Sequence, residues 1–169
     1  MVGAVRLAAR RDGYDGRMIR YTLVLTVLLL ILGASTASGA TKSPDQVFHA
    51  KASSGLALMT AYSQLLVAKD KAAVASLLCN AFQIQRADGS YANRAQYLSK
   101  LPDLRAFSFA NATQARSNGI VTVRMEAMAT LFVNGAMYSP KAAPQMAVFR
   151  WLNKRWLLVA QGNFNLPAS

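Results

Sequence analysis

Between Arg105 and Asn163 the chain runs in strand-length stretches broken by dipeptides that reverse an antiparallel pair. "RAFSFANATQARS" reaches Asn118-Gly119, and both residues of such a turn tolerate the positive φ that matches the twist of the flanking strands. "IVTVRMEAMATLFV" follows and reaches Asn134-Gly135, a second signal of the same kind. "QMAVFRWL" then turns through "NKR" into "WLLVAQGNF". These connections predict four strands in local antiparallel order. A sheet of this kind needs its apolar face covered.

The cover lies upstream. "GLALMTAYSQLLVAKD" sets Leu58, Tyr62, Leu65 and Leu66 on one helical stripe with Met59 beside it. Asp70 is suited to cap a second helix, in which Val74, Leu77 and Leu78 recur at helical spacing and Phe82 follows one turn on. "FQIQRADGSY" reads as a short strand into an Asp-Gly turn. Asn93 with Gln96 then forms a capping box for a third helix that ends before Pro102. Helices are expected near residues 50–68, 70–80 and 93–101, with a sheet over 105–165 and residues 41–52 as an aperiodic lead-in. The lone Cys79 falls on the second helical segment, where a small buried hydrophobe is its ordinary role.

The first 40 residues have a different character. "YTLVLTVLLLIL" starts at Tyr21 without a charge or proline, Arg17 and Arg20 precede it, and small residues stand at Ser38 and Ala40. This arrangement describes a signal peptide over residues 1–40, cleaved near Ala40, and predicts export to a bacterial periplasm or beyond. An uncleaved signal segment anchored in the inner membrane is the alternative. Met18 offers an internal start after an unusually long polar leader. Residues 41–169 then form a single domain.

The chain carries a net charge of +12, and the five basic and two acidic residues before Thr41 leave +9 on the domain. That balance weakly favours anionic surfaces. The basic residues are scattered, with Lys154-Arg155 the domain's one adjacent pair, so no nucleic-acid partner is expected. One histidine, one cysteine and five acidic residues spread from Asp45 to Glu126 give no metal-ligand spacing, and no cofactor is expected.

"AYSQLLVAKDKAAVASLLCNAF", "DGSYANRAQYLSKL" and "VFRWLNKRWLLVAQGNFN" together resemble the nuclear-transport-factor-2-like, or SnoaL-like, superfamily. The resemblance implies an α+β fold: a cone-shaped, curved antiparallel sheet with three N-terminal helices on its concave face and a pocket between them. In steroid isomerases of this fold a first-helix tyrosine stabilises developing oxyanion charge and an aspartate beyond the second helix moves the proton. Tyr62 falls where that tyrosine would. Arg86 falls where the carboxylate should be, and a guanidinium has no usable basic form near neutral pH. His49, the sole histidine, sits in the lead-in, away from the pocket.

The pocket candidates are Tyr62, Phe82, Arg86, Tyr97, Glu126, Arg150 and Asn163. Glu126, the only glutamate, sits on a largely apolar strand; facing inward it would pair with Arg124 or Arg150, and facing outward it would join a solvated pair. Trp151 and Trp156 flank the last hairpin, where they suit cross-strand packing or a partner surface. Three functions follow. The first is an exported domain that binds a small apolar or amphipathic ligand, or another protein, without evident catalytic residues. The second is an isomerase, dehydratase or hydrolase using Tyr62 and Glu126. The third is a scaffold that forms a homodimer through the sheet, with no ligand.

Overall fold

The computed structural model describes residues 41–133, 135–137 and 141–164. The expected signal segment and Asn134 of the second turn lie outside these residues. Among the described residues no helix is long and apolar enough to cross a membrane. The elements run α1 Pro44–His49, α2 Gly55–Val67, α3 Lys71–Leu77, β1 Leu78–Gln85, β2 Tyr91–Asn93, α4 Arg94–Ser99, β3 Asp103–Ser117, β4 Ile120–Val133, β5 Ala136–Met137, β6 Ala143–Leu152 and β7 Arg155–Asn163.

Capping chemistry sets the helix starts. Asp70 accepts from the Ala73 amide at 2.9 Å, and Asn93 and Gln96 exchange the two bonds of a capping box. A fourth helix, α1, stands where the sequence read as an aperiodic lead-in. Ser43 and Gln46 form a full capping box with Pro44 behind the cap, so the signal was present in "SPDQ". His49 belongs to this helix. The second expected helix is shorter than its apolar period implied: it stops at Leu77, and Leu78 opens β1. Cys79 is therefore a half-buried strand residue and not a helical one.

The sheet corrects the expected cone. Among the described residues it holds seven strands in the order β2-β1-β7-β6-β4-β3, with β5 paired to β4 off that path. The edge strands β2 and β3 stay apart, so the sheet is open, neither closed nor strongly curled. It is also mixed rather than antiparallel, because β1 runs parallel to β7, Ile84 lying opposite Gln161 and Gln85 opposite Gly162. No turn joins these first and last long strands, so no local signal announces their pairing. The hairpins themselves are tight. Asn118 and Gly119 take φ of 47° and 74° and set Ser117 opposite Ile120; Asn153 and Lys154 take 50° and 59° and set Leu152 opposite Arg155.

One face of the sheet carries the core. Val121, Val123 and Met125 alternate inward along β4 and meet Leu58, Met59 and Tyr62 of α2, with Phe149 and Leu158 beside them. Burial of each large apolar side chain contributes about 1.5–3 kcal/mol before the cost of ordering it. The start of α2 lies directly on β4: a Cβ built on Gly55 would stand 2.6 Å from Val123 Cβ, and the Gly55 amide donates to Gln114 Oε1 at 2.6 Å. Arg94 at the start of α4 donates to the Ala75 and Leu78 carbonyls at 2.8 and 3.3 Å, joining α4 to the α3–β1 junction.

Candidate functional site

Beyond Met125 the inward residues of β4 shrink to Ala127 and Ala129, and the sheet and helices separate into a cleft. It spans about 680 Å³ counted out to solvent. Leu66, Ile84, Leu104, Phe107, Phe109 and Leu131 are among its apolar wall residues. Such a balance of apolar wall and few polar groups is typical of small-molecule sites.

Two tyrosines stand on the helical side. Tyr62 on α2 and Tyr97 on α4 are both about 2% exposed, and their hydroxyls lie 2.6 Å apart. Burial raises the Tyr62 pKa well above its ordinary value, and the neighbouring Tyr97 adds to the rise. Burial also pushes Tyr97 up to about 12, against the lowering effects of its bond to Tyr62 and of the Arg86 charge. Both phenols are therefore neutral near pH 7. One hydroxyl must donate to the other, which leaves the second proton free to reach a third acceptor. Phe82 sits behind this pair, its ring 5.3 Å from that of Tyr97, and belongs to the core rather than the cleft wall.

The sheet side supplies a polar row. Gln145 lies opposite Asn163 across β6 and β7, and Gln161 stands two residues before Asn163. Asn163 Oδ1 accepts from Gln145 Nε2 at 2.7 Å and from Gln161 Nε2 at 3.4 Å. A bulge makes this possible. Trp156 and Leu158 face the core, and simple alternation would next turn Ala160 and Gly162 inward; the register shift between β6 and β7 turns Gln161 and Asn163 inward instead. Arg86, two residues beyond Ile84, lines the same cleft at the level of Asn163, and Lys100 stands after α4. Among the described residues no Asp, Glu or His lines the cleft.

The structure thus brings Tyr62, Arg86, Tyr97 and Asn163 to one cleft. Glu126 and Arg150 are not there. Glu126 is exposed on the opposite face of β4, where its Oε2 accepts from Asn111 Nδ2 at 2.9 Å, and Arg150 stands opposite Ile120, far along the strand from the Glu126 partner Pro144. The two residues of the expected enzyme alternative, Tyr62 and Glu126, are separated by the sheet. His49 is exposed, with Nδ1 at 3.1 Å from the Lys154 carbonyl and Nε2 at 3.6 Å from Asp45. Sequence reasoning missed Gln145, Gln161 and Lys100. Inward alternation back from Phe149 through Ala147 reaches Gln145, so that residue was within reach; Gln161 depended on the bulge.

No protein-family model and no curated protein matches the sequence. Solved structures match the fold. A nuclear-transport-factor-2-like (NTF2-like) protein from Cytophaga hutchinsonii aligns at a TM-score of 0.56 and 11% identity, over 61% of this chain and 88% of its own. A domain from Exiguobacterium sibiricum, proposed to be a calcium/calmodulin-dependent kinase II association domain, aligns at 0.59 and 14%, over 68% and 92%. An NTF2-like protein of unknown function in nutrient uptake from Rhodospirillum rubrum aligns at 0.54 and 15%, over 61% and 90%. The chain is therefore similar in fold to the NTF2-like, or SnoaL-like, proteins. At these identities the likeness is one of fold.

Proposed function

We propose that this is an exported, noncatalytic domain whose cleft binds a small, largely apolar ligand with at least one polar group. The observation that carries this reading is an apolar cleft lined by neutral tyrosines, amides and two cations, with no carboxylate or imidazole among the described lining residues to move a proton. Tyr62 is the orienting group in this reading, because it lines the cleft and its hydroxyl stays protonated. Fatty and steroid-like compounds screened by calorimetry should yield a binder. Tyr62→Phe should weaken that binder by about 0.5–1.5 kcal/mol, one ordinary hydrogen bond. Steroid isomerase turnover that disappears in Tyr62→Phe would replace this reading with an enzyme.

Export rests on the charged leader, the Leu-rich run and the small residues at Ser38 and Ala40. A homodimer through the sheet is favoured by a separate observation: Ile120, Met128, Met146 and Leu152 are exposed on the face away from α2. Each is 37–49% exposed, and among the described residues no helix packs there. Sedimentation should show a dimer that Met128→Lys together with Met146→Lys converts to a monomer. A wild-type chain that sediments as a monomer would remove the dimer.

A further inference from the structure

The cleft carries more polar chemistry than an apolar ligand needs. Gln145 Oε1 and Gln161 Oε1 are buried in its wall and accept no hydrogen bond. Their amide nitrogens are already engaged by Asn163 Oδ1. A buried carbonyl with no donor is costly, so an incoming N–H or O–H gains more here than it would at a solvated site. Neither oxygen serves the fold, since neither has a protein partner.

The charge beside these acceptors is positive. Arg86 lies at the level of Asn163, and Gln145 is one strand further across, where neighbouring strands stand about 4.8 Å apart. Lys100 adds a second cation, and among the described residues no acid lines the cleft to oppose them. A carboxylate at Arg86 would gain a charge-assisted bond, with the guanidinium fork suited to hold both its oxygens. From this polar row the wall continues over Phe107, Phe109, Ala127, Ala129 and Leu131, which offer an apolar body nothing polar to meet.

Resting on the ligand-binding reading above, we infer that the cleft selects an amphipathic acid with a hydrogen-bond donor close to its carboxylate, as in a hydroxy acid. The carboxylate faces Arg86, a turn of the Gln145 or Gln161 side chain brings its enclosed Oε1 to the ligand hydroxyl, and the chain lies along the Phe107–Phe109 wall.

Calorimetry on the full chain at neutral pH with octanoate, 3-hydroxyoctanoate, 1-octanol and 1,3-octanediol separates the two contributions without any mutation. The hydroxy acid should bind tightest, about 3- to 10-fold above octanoate, and octanoate about 10-fold or more above octanol. Arg86→Gln should erase the preference for acid over alcohol. Gln161→Leu or Gln145→Leu should erase the preference for the hydroxyl while leaving octanoate within about 2-fold. The Gln161→Leu chain should unfold at the same or a higher temperature, because relief of the unpaired carbonyl offsets loss of the long 3.4 Å bond from Nε2 to Asn163; a purely structural glutamine would lower it. Equal binding of all four compounds, or tighter binding of the alcohols, overturns this inference and leaves the apolar-ligand reading standing. Binding by none of them overturns both.

Discussion

Replacing Trp156 by alanine should destabilise the fold by about 3–5 kcal/mol, a large part of what a domain of this size has. The indole is 1% exposed and is the largest of the fully buried side chains. It makes more than core contacts. Its Nε1 donates to the Ala50 carbonyl at 3.1 Å, and its ring meets that of Trp151 edge-on at a centroid distance of 5.3 Å. The Arg116 guanidinium lies 5.0 Å from the Trp156 ring and donates to the Lys51 and Ser53 carbonyls. Trp156 therefore fastens the α1–α2 connection to the sheet, and through it the start of α2, on which the Tyr62 side of the cleft depends. Urea unfolding gives the loss directly. Trp156→Phe should keep most of the packing and forfeit the indole bond, about 1 kcal/mol of the total plus the smaller ring. A loss below about 1 kcal/mol in the alanine variant would mean that this connection is held by something other than Trp156.

What was legible in the sequence divides by the range of the interaction. Caps and hairpin turns are settled within a few residues, and Asp70, Asn93 with Gln96, and Asn118-Gly119 all form the bonds or backbone angles their chemistry favours. The Ser43–Gln46 capping box was equally local; the following residues lack an apolar period because α1 buries only Phe48. The end of α3 was lost for the opposite reason: Leu77 and Leu78 continue a helical stripe, and both are buried whether Leu78 is helical or extended. The parallel pairing of β1 with β7 and the bulge before Ala160 are tertiary events. A one-residue slip there exchanges the two faces, so the amide row was beyond period counting. Glu126 was decidable. Val121, Val123 and Met125 mark the inward set on β4, which sends Glu126 out, the solvated one of the two facings its strand allowed.

Raising the pH past 10 should unfold this protein more steeply than its surface charge requires, because of Tyr62 and Tyr97. In the unfolded chain both phenols ionise around their ordinary value of 10.0, whereas in the fold Tyr97 is held up to about 12 and Tyr62 is also raised. The shift is upward for a group that becomes charged on losing its proton. The stability it represents is therefore fully present below pH 10 and is lost as pH climbs from 10.0 towards about 12, where the unfolded chain has released protons that the fold retains. At about 1.4 kcal/mol per pKa unit, Tyr97 alone accounts for roughly 3 kcal/mol across that window, and Tyr62 acts in the same direction. Urea midpoints followed through the window should fall in the wild type and fall less in Tyr97→Phe. The double variant Tyr62→Phe/Tyr97→Phe is the cleaner comparison, since each single change leaves one buried hydroxyl without its 2.6 Å partner. Identical pH slopes in the wild type and the double variant would show that the pair ionises in the fold as it does in the open chain. The same measurement bears on the cleft: a pair that resists ionisation through this window offers a hydroxyl proton to a ligand and never a phenolate base.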